Sequence, residues 1–261
     1  SQFHLLSHAL FKALLFLAAG AVIHAVGTRE LNRMGGLART MPFVRTAFVI
    51  GFLGLAAIPI ANGFFSKELV LDSGLKGGPL WAYVGLLLGG GLTALYGIRL
   101  VDLTFGGAMR GEAGHEAGRA MRVSLALLSF GTLTSWLLAG PMSHLLASTM
   151  PAQPIEPATT VEIVQEVVTA PATWLALGVT LLGLALWRWR DSLRGLSSTL
   201  RPLAEWGRKG LGFDWMNTEV VRATSGTAAA LRRTQTGQMA WNVAGILIGL
   251  LVIVVAMAVW G

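Results

Sequence analysis

The chain is written in long apolar blocks. Hydrophobic residues run almost unbroken over roughly 3–26, 43–72, 80–105, 121–147, 169–189 and 239–260, with shorter polar stretches between them. Each block holds about 20 or more residues, enough to cross the hydrocarbon layer of a bilayer. A water-soluble helical protein would show narrow apolar stripes at helical spacing instead. Inside a membrane the backbone must satisfy its own hydrogen bonds, so all six blocks are predicted to be helices. The fold class expected is all-α, a polytopic membrane helix bundle of about six transmembrane helices.

The second block carries Ile58-Pro59 and Asn62-Gly63. Proline removes a backbone donor and crowds the preceding turn. A break is therefore predicted near Pro59, in mid-membrane, with Asn62 and Gly63 on its far side. A simple proline kink is the alternative. A broken membrane helix is tolerated only where protein buries it or it lines a cavity.

Charge adds an orientation. Arg29, Arg33, Arg39 and Arg45 fall between the first two blocks, and Arg110, Arg119 and Arg122 between the third and fourth. Between the fifth and sixth lie Arg188, Arg190, Arg194, Arg201, Arg208, Lys209, Arg222, Arg232 and Arg233. The alternate loops are poor in cations: Pro141 to Pro171 has no lysine or arginine, and the loop after the second block has only Lys76. Basic loops face the cytoplasm. The expected setting is the cell inner membrane, with those loops cytoplasmic and the C-terminal Gly261 outside. The basic stretch 190–238 is too polar to span. It is predicted to be an amphipathic lateral segment along the membrane surface or neighbouring helices, with a loose solvated loop as the alternative.

Composition excludes several chemistries. There is no cysteine, hence no disulfide, thiolate zinc site or iron–sulfur cluster in this chain. The net charge of +7 would suggest nucleic acid in a soluble protein. Here it fits an anionic membrane surface, and no basic run carries the interleaved aromatics of a nucleic-acid binder. Phosphate-loop, His-Glu-x-x-His and dinucleotide patterns are absent. No redox catalysis or metal site is expected in the chain itself.

What remains is a set of ionisable residues inside apolar blocks. His4, His8 and Lys12 stand four apart and share one helix face, each about 6 Å from the next. Lys12 is too deep to snorkel. An ammonium at that depth is costly and persists only if it faces the bundle interior, water or a partner. A lysine that can lose and regain its proton near neutral pH, beside two histidines that titrate there, suggests a proton relay. Lys67 follows the predicted break by about two turns, in Asn62-Gly63-Phe64-Phe65-Ser66-Lys67-Glu68. The break would free carbonyls and admit water toward it. Plainer readings are a packing histidine at position 4 and a snorkelling lysine at 67. His24 lies near the cytoplasmic boundary, where it could anchor the helix or take up protons.

The residues His8-Ala-Leu-Phe-Lys12 through Gly20, Val22-Ile-His24, Met34-Gly-Gly-Leu37, Ile58-Pro59 and Gly63-Phe-Phe-Ser-Lys67 resemble the antiporter-like subunits of respiratory complex I and of Mrp-type cation/proton antiporters. Ile98-Arg-Leu100 and Leu103-Thr-Phe-Gly-Gly107 continue the match. The distal antiporter-like member of complex I is most similar, because further membrane segments follow and Arg233-Thr-Gln-Thr-Gly237 resembles the end of its lateral helix. The resemblance implies that Lys12 is the central connecting lysine, that His4 and His8 are hydrated histidines beside it, and that Lys67 is the terminal lysine of a second half-channel. It divides the chain into that half-channel over 1–107, additional transmembrane helices over 108–190, the lateral segment over 191–238 and a C-terminal anchor over 239–261. The family's first half-channel, with its glutamate–lysine pair, is absent from this chain. Even if helical from Leu211 to Gln238, the lateral segment would run only about 40 Å.

The function so implied is proton translocation by a membrane subunit of a complex I-type NADH:quinone oxidoreductase, a translocase. Flavin, iron–sulfur clusters and quinone are expected in partner subunits. The partners expected are other membrane subunits, including antiporter-like ones, the lipid bilayer and an N-terminal half, with no nucleic acid. The alternatives are a subunit of an Mrp-type antiporter or membrane-bound hydrogenase, and a non-conducting structural subunit.

Overall fold

The structure, a computed structural model, describes residues 2–111, 114–150, 156–192, 201–208, 210–234, 237 and 239–260. Among them only helices and connecting turns form. The helices are α1 (Gln2–Val26), α2 (Pro42–Leu55), α3 (Asn62–Gly77), α4 (Leu80–Phe105), α5 (Arg119–Thr134), α6 (Ala139–Thr149), α7 (Thr160–Thr169), α8 (Pro171–Arg188), α9 (Arg201–Arg208), α10 (Phe213–Thr234) and α11 (Met239–Trp260). The chain is an all-α polytopic membrane protein. Among the described residues, five stretches are each long and apolar enough to cross a membrane: Gln2–Val26, Leu80–Phe105, Arg119–Thr149, Pro171–Arg188 and Met239–Val259. The second apolar block is split into α2 and α3, and of these α2 is a shorter apolar helix.

The chain divides into two compact units, Ser1–Ser192 and Leu193–Gly261. In the first, α1, α2 and α5 bury Leu14, Ala18, Val22, Val44, Phe48 and Leu125 against the loop residues Met34, Leu37 and Met41. Phe105 of α4 closes this core edge-on to Phe48, with ring centroids 5.6 Å apart. The loop before α5 returns to cap α2. Glu116 Oε2 accepts the Phe43 backbone N–H (2.8 Å), and its Oε1 accepts that of Ala117 (2.9 Å). A carboxylate suits a helix N-terminus, where donors are free and the dipole is positive.

Small residues let α4 and α8 lie close. A side chain at Gly91 would meet Val179, and one at Gly183 would meet the Gly91 carbonyl. The basic end of this pair is fastened by polar groups. Trp187 Nε1–H donates to Asp102 Oδ2 (3.0 Å), and Arg190 Nη1 is 3.4 Å from the same oxygen. The Arg190 guanidinium lies 4.2 Å from the Trp187 ring centroid, a cation–π contact.

Two features depart from the expectations. The fourth apolar block is not one straight helix. A 3₁₀ turn at Ser135–Leu138 separates α5 from α6. Pro141 has no N–H to give the Leu137 carbonyl four residues back. Thr160 Oγ1–H donates to that carbonyl instead (3.0 Å), and Thr160 Oγ1 also accepts the Gly140 N–H (3.0 Å). The bend is thus held by the start of α7, a helix the apolar pattern did not mark. α7 opens with a capping box. The Thr159 N–H donates to Glu162 Oε2 (2.7 Å), and the Glu162 N–H donates to Thr159 Oγ1 (3.3 Å). The backbone N–H of Thr159 holds the Glu162 carboxyl below its ordinary pKa.

In the second unit, α10 has 22 residues, which makes it about 33 Å long. Trp215, Met216, Val220, Val221 and Leu231 on α10 are all exposed. α11 is apolar save for Asn242, with no charged residue. Lys209, Arg194, Gln238 and Gly261, and part of the Arg233–Gly237 motif, lie outside the described residues.

Candidate functional site

The site begins where the second block stops being helical. Residues 56–61 form no helix, and Ala57 (φ 53°) and Ile60 (φ 99°) adopt left-handed backbone. Such values are uncommon for residues with a Cβ and cost about 1–3 kcal/mol each. Proline explains where the break falls. The Leu55 carbonyl would bond the N–H of residue 59, but Pro59 has none. Lys67 Nζ donates to the Leu55 carbonyl instead, at 3.4 Å. The free carbonyls at a helix C-terminus carry the negative end of its dipole, which favours an ammonium there.

Two glycines let the broken ends meet. A Cβ at Gly63 would overlap the Gly54 carbonyl, and one at Gly54 would press on Phe11 and Thr132. Asn62 then pins α3. It is fully buried, and its Nδ2 donates to the Ser7 carbonyl of α1 (3.4 Å) and to Ser135 Oγ in the 3₁₀ turn (2.9 Å). Replacing Asn62 with alanine removes both bonds and leaves a void. The expected cost is about 1–3 kcal/mol, read as a lowered unfolding midpoint of the purified protein in detergent. Pro59 itself is exposed.

The α1 stripe meets α3 here. The His4 and His8 ring centroids are 6.0 Å apart. His4 Nδ1 lies 3.2 Å from Ser66 Oγ, in hydrogen-bond contact, and Ser66 Oγ–H reaches the Gly63 carbonyl at 3.4 Å. Ser66 immediately precedes Lys67, so the imidazole pair comes to the turn that carries the lysine. Lys12 lies further along the stripe and lines a cavity of about 170 Å³. Leu55, Phe52 and Tyr96 line the same cavity, so Lys12 opens toward the helix end on which Lys67 rests. Its Nζ is 6.0 Å from the Phe16 ring centroid.

The stripe is not enclosed by the described helices. His8 is exposed, His4 and Lys12 are half-buried, and Leu5 and Phe16 on the same face are 63% and 72% exposed. His24 does not join the others. It is exposed, about 18 Å from Lys12 along the α1 axis, and its ring lies 6.2 Å from that of His115. Sequence reading missed Ser66, His115 and the Leu55 carbonyl. Only the last left a signal, the proline four residues on. No group of three or more histidine, aspartate or glutamate side chains among the described residues could hold a metal ion.

Comparison with known proteins gives the setting. Residues 1–97 match the family described as NADH:quinone oxidoreductase/Mrp antiporter, transmembrane. The chain is 32% identical to NADH-quinone oxidoreductase subunit L of Escherichia coli over 91% of its own length and 38% of that protein. It is 41% identical to NADH-ubiquinone oxidoreductase chain 5 of Cryptococcus neoformans over 54% of its own length and 22% of that protein. Its fold is similar to a chain in the Mrp complex of a Dietzia species, with a TM-score of 0.56 and 24% identity over 97% of this chain and 27% of that one. The chain thus spans 22–38% of the length of these curated relatives.

Proposed function

We propose, from the match of residues 1–97 to the NADH:quinone oxidoreductase/Mrp antiporter family of membrane proteins, that the chain carries protons across a membrane as a subunit of a complex I-type translocase. Lys12, His8, His4 and Lys67 are the carriers in this reading. The observation that supports it most is the meeting of three groups at one helix break: Lys67 on the Leu55 carbonyl, His4 against Ser66, and the Lys12 cavity walled by Leu55.

Each carrier has a chemical role. An imidazole can accept a proton at one ring nitrogen and give one up from the other. Lys67 as an ammonium bonds the Leu55 carbonyl, and as a neutral amine it has a lone pair for an incoming proton. Protonation and the helix-end bond are therefore coupled. The residues between 1 and 107 act as one half of a proton path, and His24 with His115 marks the end from which protons are taken up. The basic loops face the cytoplasm, and the C-terminus lies outside the cell membrane. Electrons pass through other subunits, which hold flavin, iron–sulfur clusters and quinone. The exposed α1 face of His8 and Phe16 is covered by other membrane helices, from an N-terminal half or a neighbouring antiporter-like subunit. Residues 191–238 lie laterally on the assembly, and 239–261 anchor it.

The test is to isolate the complex containing this chain and reconstitute it in liposomes. Oxidation of a donor by quinone should acidify one side. Proton flux that depends on sodium or potassium, in a complex with no redox subunit, would assign the chain to a cation/proton antiporter instead. No flux under either drive would leave it a structural subunit.

A further inference from the structure

The outer face of α5 changes character along its length. Val123, Leu127 and Phe130 stand three or four residues apart on it, 59%, 67% and 67% exposed. The same face begins with Arg119 and Arg122. Arg119 opens a stretch long and apolar enough to cross a membrane, Arg119–Thr149. The two guanidinia therefore stand at one end of the span, where lipid headgroups lie. Arg119, Arg122, Val123 and Ala126 line one groove of about 440 Å³ with Phe43, the second residue of α2.

The groove holds positive charge that the described residues do not neutralise. Neither arginine has a hydrogen-bond or ion-pair partner among them. Glu116 is the carboxylate nearest in sequence, and both its oxygens are committed, one to the Phe43 N–H at the start of α2 and one to the Ala117 N–H. That leaves α5 uncapped. Gly118 offers no side chain, and no acidic residue stands in the first turn. The Arg122 N–H is the first in α5 to reach a backbone carbonyl, that of Gly118 at 3.0 Å, so the N–H groups before it lack a helical acceptor.

Two guanidinia one helical turn apart, with Cβ atoms about 5–6 Å from each other, suit a phosphate, which each can bond through paired N–H groups. The open helix start favours the same anion. The floor of Phe43, Val123 and Ala126 suits hydrocarbon. A neighbouring protein would have to bring a carboxylate to the edge of the apolar layer and desolvate it. A phospholipid carries its phosphate at that depth already. A headgroup that bears an ammonium would set it beside the guanidinia, so a lipid of net negative charge is selected. We infer that the α2–α5 groove binds an anionic phospholipid, its phosphate between Arg119 and Arg122 and one acyl chain descending over Val123, Leu127 and Phe130.

The experiment places a photo-crosslinking amino acid at Leu127, one turn past the groove, in the assembled complex. The complex is reconstituted in vesicles of equal phosphatidylcholine and phosphatidylglycerol, and adducts are identified by mass spectrometry. A matched complex carries the crosslinker at Leu181 of α8, which is 62% exposed. Phosphatidylglycerol should exceed phosphatidylcholine several-fold among the Leu127 adducts and match the vesicle ratio among those of Leu181. Arg119→Gln together with Arg122→Gln should bring the Leu127 ratio down to that of Leu181, and lysine at both positions should keep part of the excess. Should the glutamine variant fail to assemble, the lysine variant and the comparison of Leu127 with Leu181 decide the matter. Equal ratios at the two positions, or an excess at Leu127 that survives the glutamine variant, would overturn the site. A peptide adduct from a neighbouring subunit at Leu127 would overturn it as well and assign the groove to a protein partner.

Discussion

A Lys67→Met complex is expected to assemble and to stop pumping. Methionine keeps most of the length and apolar bulk of the side chain and removes only the group that can carry a proton. Assembly should survive because α3 is held by groups other than Lys67, namely Asn62 on α1 and the 3₁₀ turn, Gly63 on Gly54, and Ser66 on His4. A positioned acid–base group accelerates proton transfer by about 10²–10⁴-fold, so its loss should bring flux to background. Lys67→Arg separates charge from carriage. A guanidinium can still bond the Leu55 carbonyl but does not deprotonate in proteins. It should support assembly and fail to pump. Normal pumping by Lys67→Arg would mean that the charge alone matters and that no proton passes through this side chain. Lys12→Met is expected to behave likewise. Moving one charge against 100 mV costs about 2.3 kcal/mol, so modest changes in proton affinity at each station are enough to drive the sequence.

Gly63→Val should disable the same site through packing alone. Its Cβ would fall on the Gly54 carbonyl, which is backbone and cannot turn aside as a side chain could. Overpacking typically costs about 1–3 kcal/mol and sometimes more. α3 would have to withdraw from α2, and Lys67 would then leave the Leu55 carbonyl. Both a lower unfolding midpoint in detergent and a loss of pumping are expected. The matched control is Gly85→Ala. Gly85 also lies in a membrane helix, but a Cβ there meets nothing within 4 Å. That change should be neutral or slightly stabilising, because glycine is the poorer helix former by about 1 kcal/mol. Equal loss in both variants would show that the effect is general to glycine and not to the contact.

The sequence made some of this site plain and hid the rest, for physical reasons. Periodicity and length reveal what a segment does by itself. Each long apolar run therefore became helix, and Pro59 marked its own break through a donor it lacks. The His4–His8–Lys12 stripe was legible because one helix sets the spacing of all three. The contact of His4 with Ser66 spans 62 positions in the chain, and no local pattern announces such a pairing. The same holds for His24 and His115, which look unrelated until the loop before α5 folds back. α7 went unmarked because its ten residues mix Glu162, Gln165 and Glu166 with valines, too polar for a span. The bend after α5 was hidden for a subtler reason. Pro141 was visible, but a proline in an apolar run signals a bend only if something else satisfies the carbonyl it abandons. That something, Thr160, comes from another helix.

The two prolines leave two vacated carbonyls, Leu55 and Leu137, and the groups that adopt them differ in kind. A threonine hydroxyl holds Leu137, and it keeps its proton at any physiological pH. An amine holds Leu55, and its grip depends on whether it is charged. One joint is therefore a fixed fulcrum and the other a clutch. If protons come and go at residue 67, the hold on the end of α2 strengthens and weakens with each one, because an ammonium donates a stronger hydrogen bond than a neutral amine.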